Sequence, residues 1–115
     1  MFDLNAVRTD LATEIAALSM KTALDPRDVN PPVVVVGLPV VKDWLSPCVI
    51  DVDIEITAVA PPPGNLDAVE WLLDTTAALL DHFTDALATP SSFTPVAGQQ
   101  PLPAYTLVLN QQVKE

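Results

Sequence analysis

From Asp3 to Met20, apolar residues at Leu4, Val7, Leu11, Ile15 and Leu18 recur at spacings of three and four, the period of a helix with one buried stripe. Asp25-Pro26 and Asn30-Pro31-Pro32 then bracket a polar connection, because a residue preceding proline avoids helical backbone angles. Val33 to Val36 is a β-branched run between Pro32 and Gly37, which predicts a short strand buried on both faces. From Cys48 to Val59 the chain alternates, with Ile50, Val52, Ile54 and Ile56 on one side and Asp51, Asp53, Glu55 and Thr57 on the other. That is a strand with one face on a core and three carboxylates in a row on the other.

Pro61-Pro62-Pro63-Gly64 stops this strand with a stiff turn, and Asn65 is placed to cap a second helix running to about Ala88. Its expected core side takes Leu66, Val69, Leu73, Leu80, Phe83 and Leu87, with Asp67, Glu70, Asp74, Asp81 and Asp85 as an acidic stripe opposite. Residues 89–103 contain four prolines, two serines and a glycine and predict an extended segment with a short strand near Phe93 to Val96. Tyr105 to Val113 alternates again and predicts a final strand. The order helix, strand, strand, long helix, then one or two strands predicts a single α+β domain over residues 1–115. Its sheet is expected to be mixed or mainly antiparallel, of about four strands, with the two helices packed on one face. The other face is left for a partner or for water.

Half the residues are hydrophobic but only 5% are aromatic, and mean hydropathy is positive at +0.35. In so short a chain some of this apolar surface reaches solvent, where patches mark protein interfaces. Fifteen acidic residues against five basic ones give a formal net charge of −10. No Lys or Arg falls between Lys42 and Lys114, an interval holding nine Asp or Glu. Phosphate backbones are gripped by clustered Lys and Arg, so nucleic-acid binding is disfavoured, as is an anionic membrane surface. The start Met-Phe-Asp-Leu-Asn is unlike a signal peptide, and the longest apolar stretch, Val33 to Val41, is broken by Gly37 and Pro39. The protein is therefore expected to stay in the cytoplasm and to span no membrane.

Candidate chemistry is sparse. Asp51, Asp53 and Glu55 would suit a hard cation, yet carboxylates two apart on a straight strand do not converge on a point, so a solvated or channel-facing surface is the better reading. His82, the sole histidine, accompanies no nucleophile motif and reads as a surface or helix-contact residue. Gly37, Gly64 and Gly98 are too scattered for a phosphate-cradling loop. Neither a catalytic residue, a cofactor nor a metal ligand is therefore assigned. Cys48, the sole cysteine, is expected to be a buried thiol at a strand start. Trp44 and Leu45, in the Pro39–Pro47 connection, either cap the core or form an interface, and Trp71 is expected to pack in the core.

In order, length and composition the chain resembles the tail-terminator or minor tail proteins of long-tailed bacteriophages, particularly those of actinobacterial hosts. The residues carrying the resemblance are the opening helix Asp3 to Met20, Asn-Pro-Pro-Val-Val-Val-Val-Gly at Asn30 to Gly37, the strand Val49 to Val59, the stretch Asn65 to Leu87 and the strand Tyr105 to Val113. The segment around Phe93 fits least well. The resemblance implies a virion protein without catalytic residues, assembled in the host cytoplasm into a homo-hexameric ring. Such a ring caps the head-proximal end of the tail tube, ends tube polymerisation, and docks to the head-completion (stopper) protein while DNA passes through unbound. Asp51, Asp53 and Glu55 are then expected to face the channel, and Trp44, Leu45 and Phe93 a neighbouring subunit or the tube. The alternatives are a head-tail adaptor that docks to the portal, and a small enzyme using Asp51 with Asp53 or Glu55 as an acid/base pair.

Overall fold

The computed structural model describes residues 2–24, 32–60, 66–84, 86–93 and 101–114. The first helix, α1 (Leu4–Ala16), begins where Asp3 accepts the Ala6 N–H at 3.0 Å, satisfying a donor that has no partner within the helix. It ends short of the expected Met20, and Ser19, at φ 66°, turns the chain. Four elements follow: β1 (Thr22–Ala23), β2 (Val33–Ser46), β3 (Val49–Val59) and α2 (Leu66–His82). The chain closes with β4 (Leu87–Phe93) and β5 (Leu102–Lys114). The five strands form one mixed sheet in the order β1-β2-β3-β5-β4, with β1 parallel to β2 and the other pairs antiparallel.

Both helices cover one face, as the pattern predicts. Leu11 and Ile15 of α1, Leu72 and Leu79 of α2, and Val34, Val36, Ile54, Ile56 and Leu107 of the sheet are buried together there. Towards one end the opposite face is buried as well, by a cluster containing Val33, Val35, Val59 and Leu102. Burial on both sides is the reason Val33 to Val36 does not alternate.

Three expectations are corrected. The Pro39–Pro47 stretch is not a connection: it continues β2, which pairs with β3 as far as Ser46 and Val49. Gly37 and Pro39 are accommodated by a register shift at Val36/Pro39, a bulge on a strand whose outer edge can do without a proline N–H, and further shifts follow at Val41/Asp43 and Trp44/Ser46. Cys48 is exposed in the hairpin turn, where its N–H donates to Ser46 Oγ at 3.2 Å. The helix expected to reach Ala88 stops at His82, and Leu87 to Phe93 form β4, an edge strand that tolerates Pro90 for the same reason. Asn65 and the Thr94–Val96 part of the expected late strand lie outside the described residues.

The buried face of α2 also differs from the expected one. Ala68, Leu72, Thr75, Thr76 and Leu79 face the sheet, whereas Leu66, Leu73 and Leu80 are 71%, 48% and 36% exposed. Small residues at 68, 75 and 76 let the helix axis approach a sheet already crowded by Ile54, Ile56 and Leu107, and Leu72 and Leu79, seven apart, fill the gaps. Thr76 carries a cost, since its buried hydroxyl has no hydrogen-bond partner. Thr76→Val keeps the shape and removes the unsatisfied group, so urea denaturation should show a stabilisation of about 1 kcal/mol.

Candidate functional site

β2, β3 and β5 run on together to the Pro47-Cys48 turn, with Val49 still paired to Lys114. β1 pairs only with Val34 and Val35, and β4 only with Leu102 to Val108. Among the described residues the outer edges of β2 from Leu38 and of β5 from Leu109 therefore have no strand neighbour. The result is a three-stranded tongue, and it holds the row of carboxylates and both large apolar residues singled out by the sequence.

Asp51, Asp53 and Glu55 lie, as their spacing requires, on the sheet face away from the helices. The amide of Asn110, directly opposite Asp53, donates to Asp51 Oδ1 at 2.7 Å and to Asp53 Oδ1 at 2.9 Å. Lys42 Nζ stands 3.4 Å from Asp53 Oδ2. One amide bridging two carboxylates, with an ammonium beside the second, holds like charges side by side and leaves them as acceptors. Glu55 is exposed and pairs across the strands with Val108.

With Leu38, Val40, Lys42 and Val108, Asp53 and Glu55 line a shallow depression of about 310 Å³, open to solvent and lacking a convergent donor set. Among the described residues no three His, Cys, Asp or Glu side chains converge as metal ligands. His82 ends α2, with Nε2 2.7 Å from Glu14 Oε1 and its ring edge-on to Phe83. It joins the two helices, as a helix-contact histidine would. Trp71 is half-buried against the core cluster.

Trp44 and Leu45 occupy the outer strand of the tongue near its tip. The indole of Trp44 meets Phe2 edge-on, with ring centroids 5.6 Å apart, but remains 62% exposed, and Leu45 is exposed too. The tongue thus carries Leu38, Val40, Val41, Trp44 and Leu45 as exposed large apolar side chains within one strand. The backbone of Phe93 ends β4 on the opposite edge of the sheet, away from Trp44. Sequence reasoning missed Lys42 and Asn110, the partners of the carboxylates; only the register of β2 and β5 against β3 brings them there. No helix among the described residues is long and apolar enough to cross a membrane. Comparison of the chain with family models, with characterised proteins and with solved structures finds no match.

Proposed function

We propose that the chain is a structural virion subunit that forms a homo-hexameric ring at the head-proximal end of a phage tail tube. It ends tube polymerisation there and docks to the head-completion protein. The observation that carries the reading is the tongue: a strand-built projection with Trp44, Leu45 and neighbouring valines exposed. Exposed aromatic and aliphatic side chains on a rigid element are what a protein interface is made from. The carboxylate row fits the channel side of such a ring, because carboxylates fixed by Asn110 and Lys42 repel passing phosphate while offering it no cluster of cations. A structure of the assembled ring with Asp51, Asp53 and Glu55 turned from the channel would remove that assignment.

Light scattering over a concentration series, with negative-stain images, tests the reading: closed rings are expected, and adding tail-tube protein to them should halt tube growth. Rings that leave tube growth untouched and bind portal protein would favour the adaptor role. Trp44→Glu should weaken assembly by about 2 kcal/mol or more, the scale of a central tryptophan contact, without altering the melting of the monomer. Undiminished assembly of that variant would take Trp44 out of the interface.

A further inference from the structure

The outer edge of β5 differs from the other edges of the sheet. β1 is two residues long, the free edge of β2 is broken by Pro39 and three register shifts, and β4 carries Pro90. Each of these keeps an edge from pairing. β5 has none of them. Its register against β3 runs without a shift from Ala104 to Lys114, and its one charged residue, Lys114, stands at the end. Beyond the last pair with β4, Leu87 with Val108, residues 109–114 lie open for about 20 Å, and alternate residues there turn N–H and C=O groups outward. Two grooves follow this edge. One, of about 340 Å³, touches each residue from Val108 to Gln111 and is walled by Phe83, Thr84 and Ala86. The other, of about 350 Å³, touches each residue from Gln111 to Lys114 and is walled by Asp3, Asp10 and Glu14 of α1. Side chains of consecutive strand residues point to opposite faces, so a groove touching four in a row lies against the backbone edge itself.

We infer that this edge takes an added strand from a partner protein, an extended segment that is apolar beside Phe83 and basic beside α1. Run antiparallel to β5, such a segment continues the line of β4 and turns alternate side chains to the helix side. Opposite Leu109 they meet Phe83 and Ala86; opposite Gln111 and Val113 they meet Asp3, Asp10 and Glu14. Of these carboxylates Glu14 contacts His82 and Asp3 caps α1, and the one ammonium in the groove is that of Lys114. Arg8 is turned elsewhere, onto the carbonyl oxygens of Val36 and Gly37. On the other face Asp53, already paired with Lys42, borders the first groove beside Asn110. A second copy is the poorer occupant. Among the described strands β2 and β5 hold one Lys each and the others no Lys or Arg. Two β5 edges laid antiparallel would also set the α1 carboxylates of both copies on the same side of the joined sheet. The inference is independent of the ring reading, whose contacts lie on β2 at the other side of the tongue.

The probe is the peptide Thr-Lys-Thr-Lys-Thr-Val, which sets its lysines opposite Val113 and Gln111 and its valine opposite Leu109, with Thr-Glu-Thr-Glu-Thr-Val as counterpart. Fluorescence anisotropy of the labelled peptides with the full chain should show the Lys form binding at least about 10-fold more tightly than the Glu form. Saturation with the Lys form should slow amide hydrogen exchange at alternate residues of 109–114 and leave residues 38–46 of β2 unchanged. Asp10→Lys should weaken binding about 5-fold. Glu70→Lys makes the same change of charge at an exposed position about 18 Å of helix from His82 and should leave binding unaltered. Both variants are first checked for an unchanged melting curve. Equal weakening by the two would reduce the attraction to net charge and overturn the site. So would a Lys peptide that fails to bind at millimolar concentration, binds no better than the Glu form, or protects β2 instead. Protection of residues 109–114 in the protein alone, growing with its concentration, would overturn the choice of partner by showing a second copy on the edge, and would leave the ring reading standing.

Discussion

Ile56→Ala is expected to remove about 4 kcal/mol of stability, the upper part of the range for a large aliphatic side chain truncated where the surroundings cannot collapse. Ile56 lies on β3, the middle strand of the sheet, opposite Val36 on one side and Leu107 on the other. It is fully buried beneath both helices. Its neighbours are held by two ladders of hydrogen bonds, so the cavity would persist. Since a domain of this size has only about 5–15 kcal/mol in total, urea denaturation should find the variant near the edge of folding. Leu73→Ala is the paired control: the hydrophobic pattern ranks Leu73 with the core, but its exposure limits the expected loss to within about 0.5 kcal/mol. Equal losses at the two positions would mean that α2 presents its other arc to the sheet.

That contrast marks where the sequence is legible. The alternation of β3 names its buried residues, because the period of a strand leaves only two faces and charges occupy one of them. The stripe of α1 is legible for a similar reason: Leu11 and Ile15 are buried, whereas Asp10 before them and Thr13 and Glu14 between them are exposed. α2 is different, since its apolar residues cover two adjoining arcs. The choice between them depends on the bulk of Ile54, Ile56 and Leu107, which no local period records. Preference for large residues selects the wrong arc, because the crowded sheet admits the one built on Ala68, Thr75 and Thr76. β2 is misread at Gly37 and Pro39, where bulges on an open edge carry the strand through residues that ordinarily end one. In the site, the carboxylate row follows from its spacing alone, whereas the contacts from Asn110 and Lys42 depend on long-range register.

Gly37→Val should destabilise the domain by about 2 kcal/mol, although two local effects favour valine. Strand preference and the loss of glycine's freedom in the unfolded chain together favour the substitution by about 1 kcal/mol. Against them stands a close approach of two backbones: a Cβ at position 37 would lie 2.9 Å from the carbonyl oxygen of Glu55. That oxygen belongs to the main chain of the central strand and cannot swing aside as a side chain would, so β2 must move off β3, an overpacking cost of about 3 kcal/mol. The displacement would reach α1, because Arg8 Nε donates to Gly37 O at 3.0 Å and its Nη2 donates to Val36 O at 3.1 Å and also to Leu24 O. This guanidinium ties the helix to the edges of β1 and β2 at the point where the register shifts. Urea denaturation reads the global loss, and amide hydrogen exchange should show faster opening of α1 in the variant than in the wild type. Greater stability with unchanged exchange would mean that β2 passes β3 at ordinary distance, and that the bulge at Gly37 serves neither the clamp nor the emergence of the tongue.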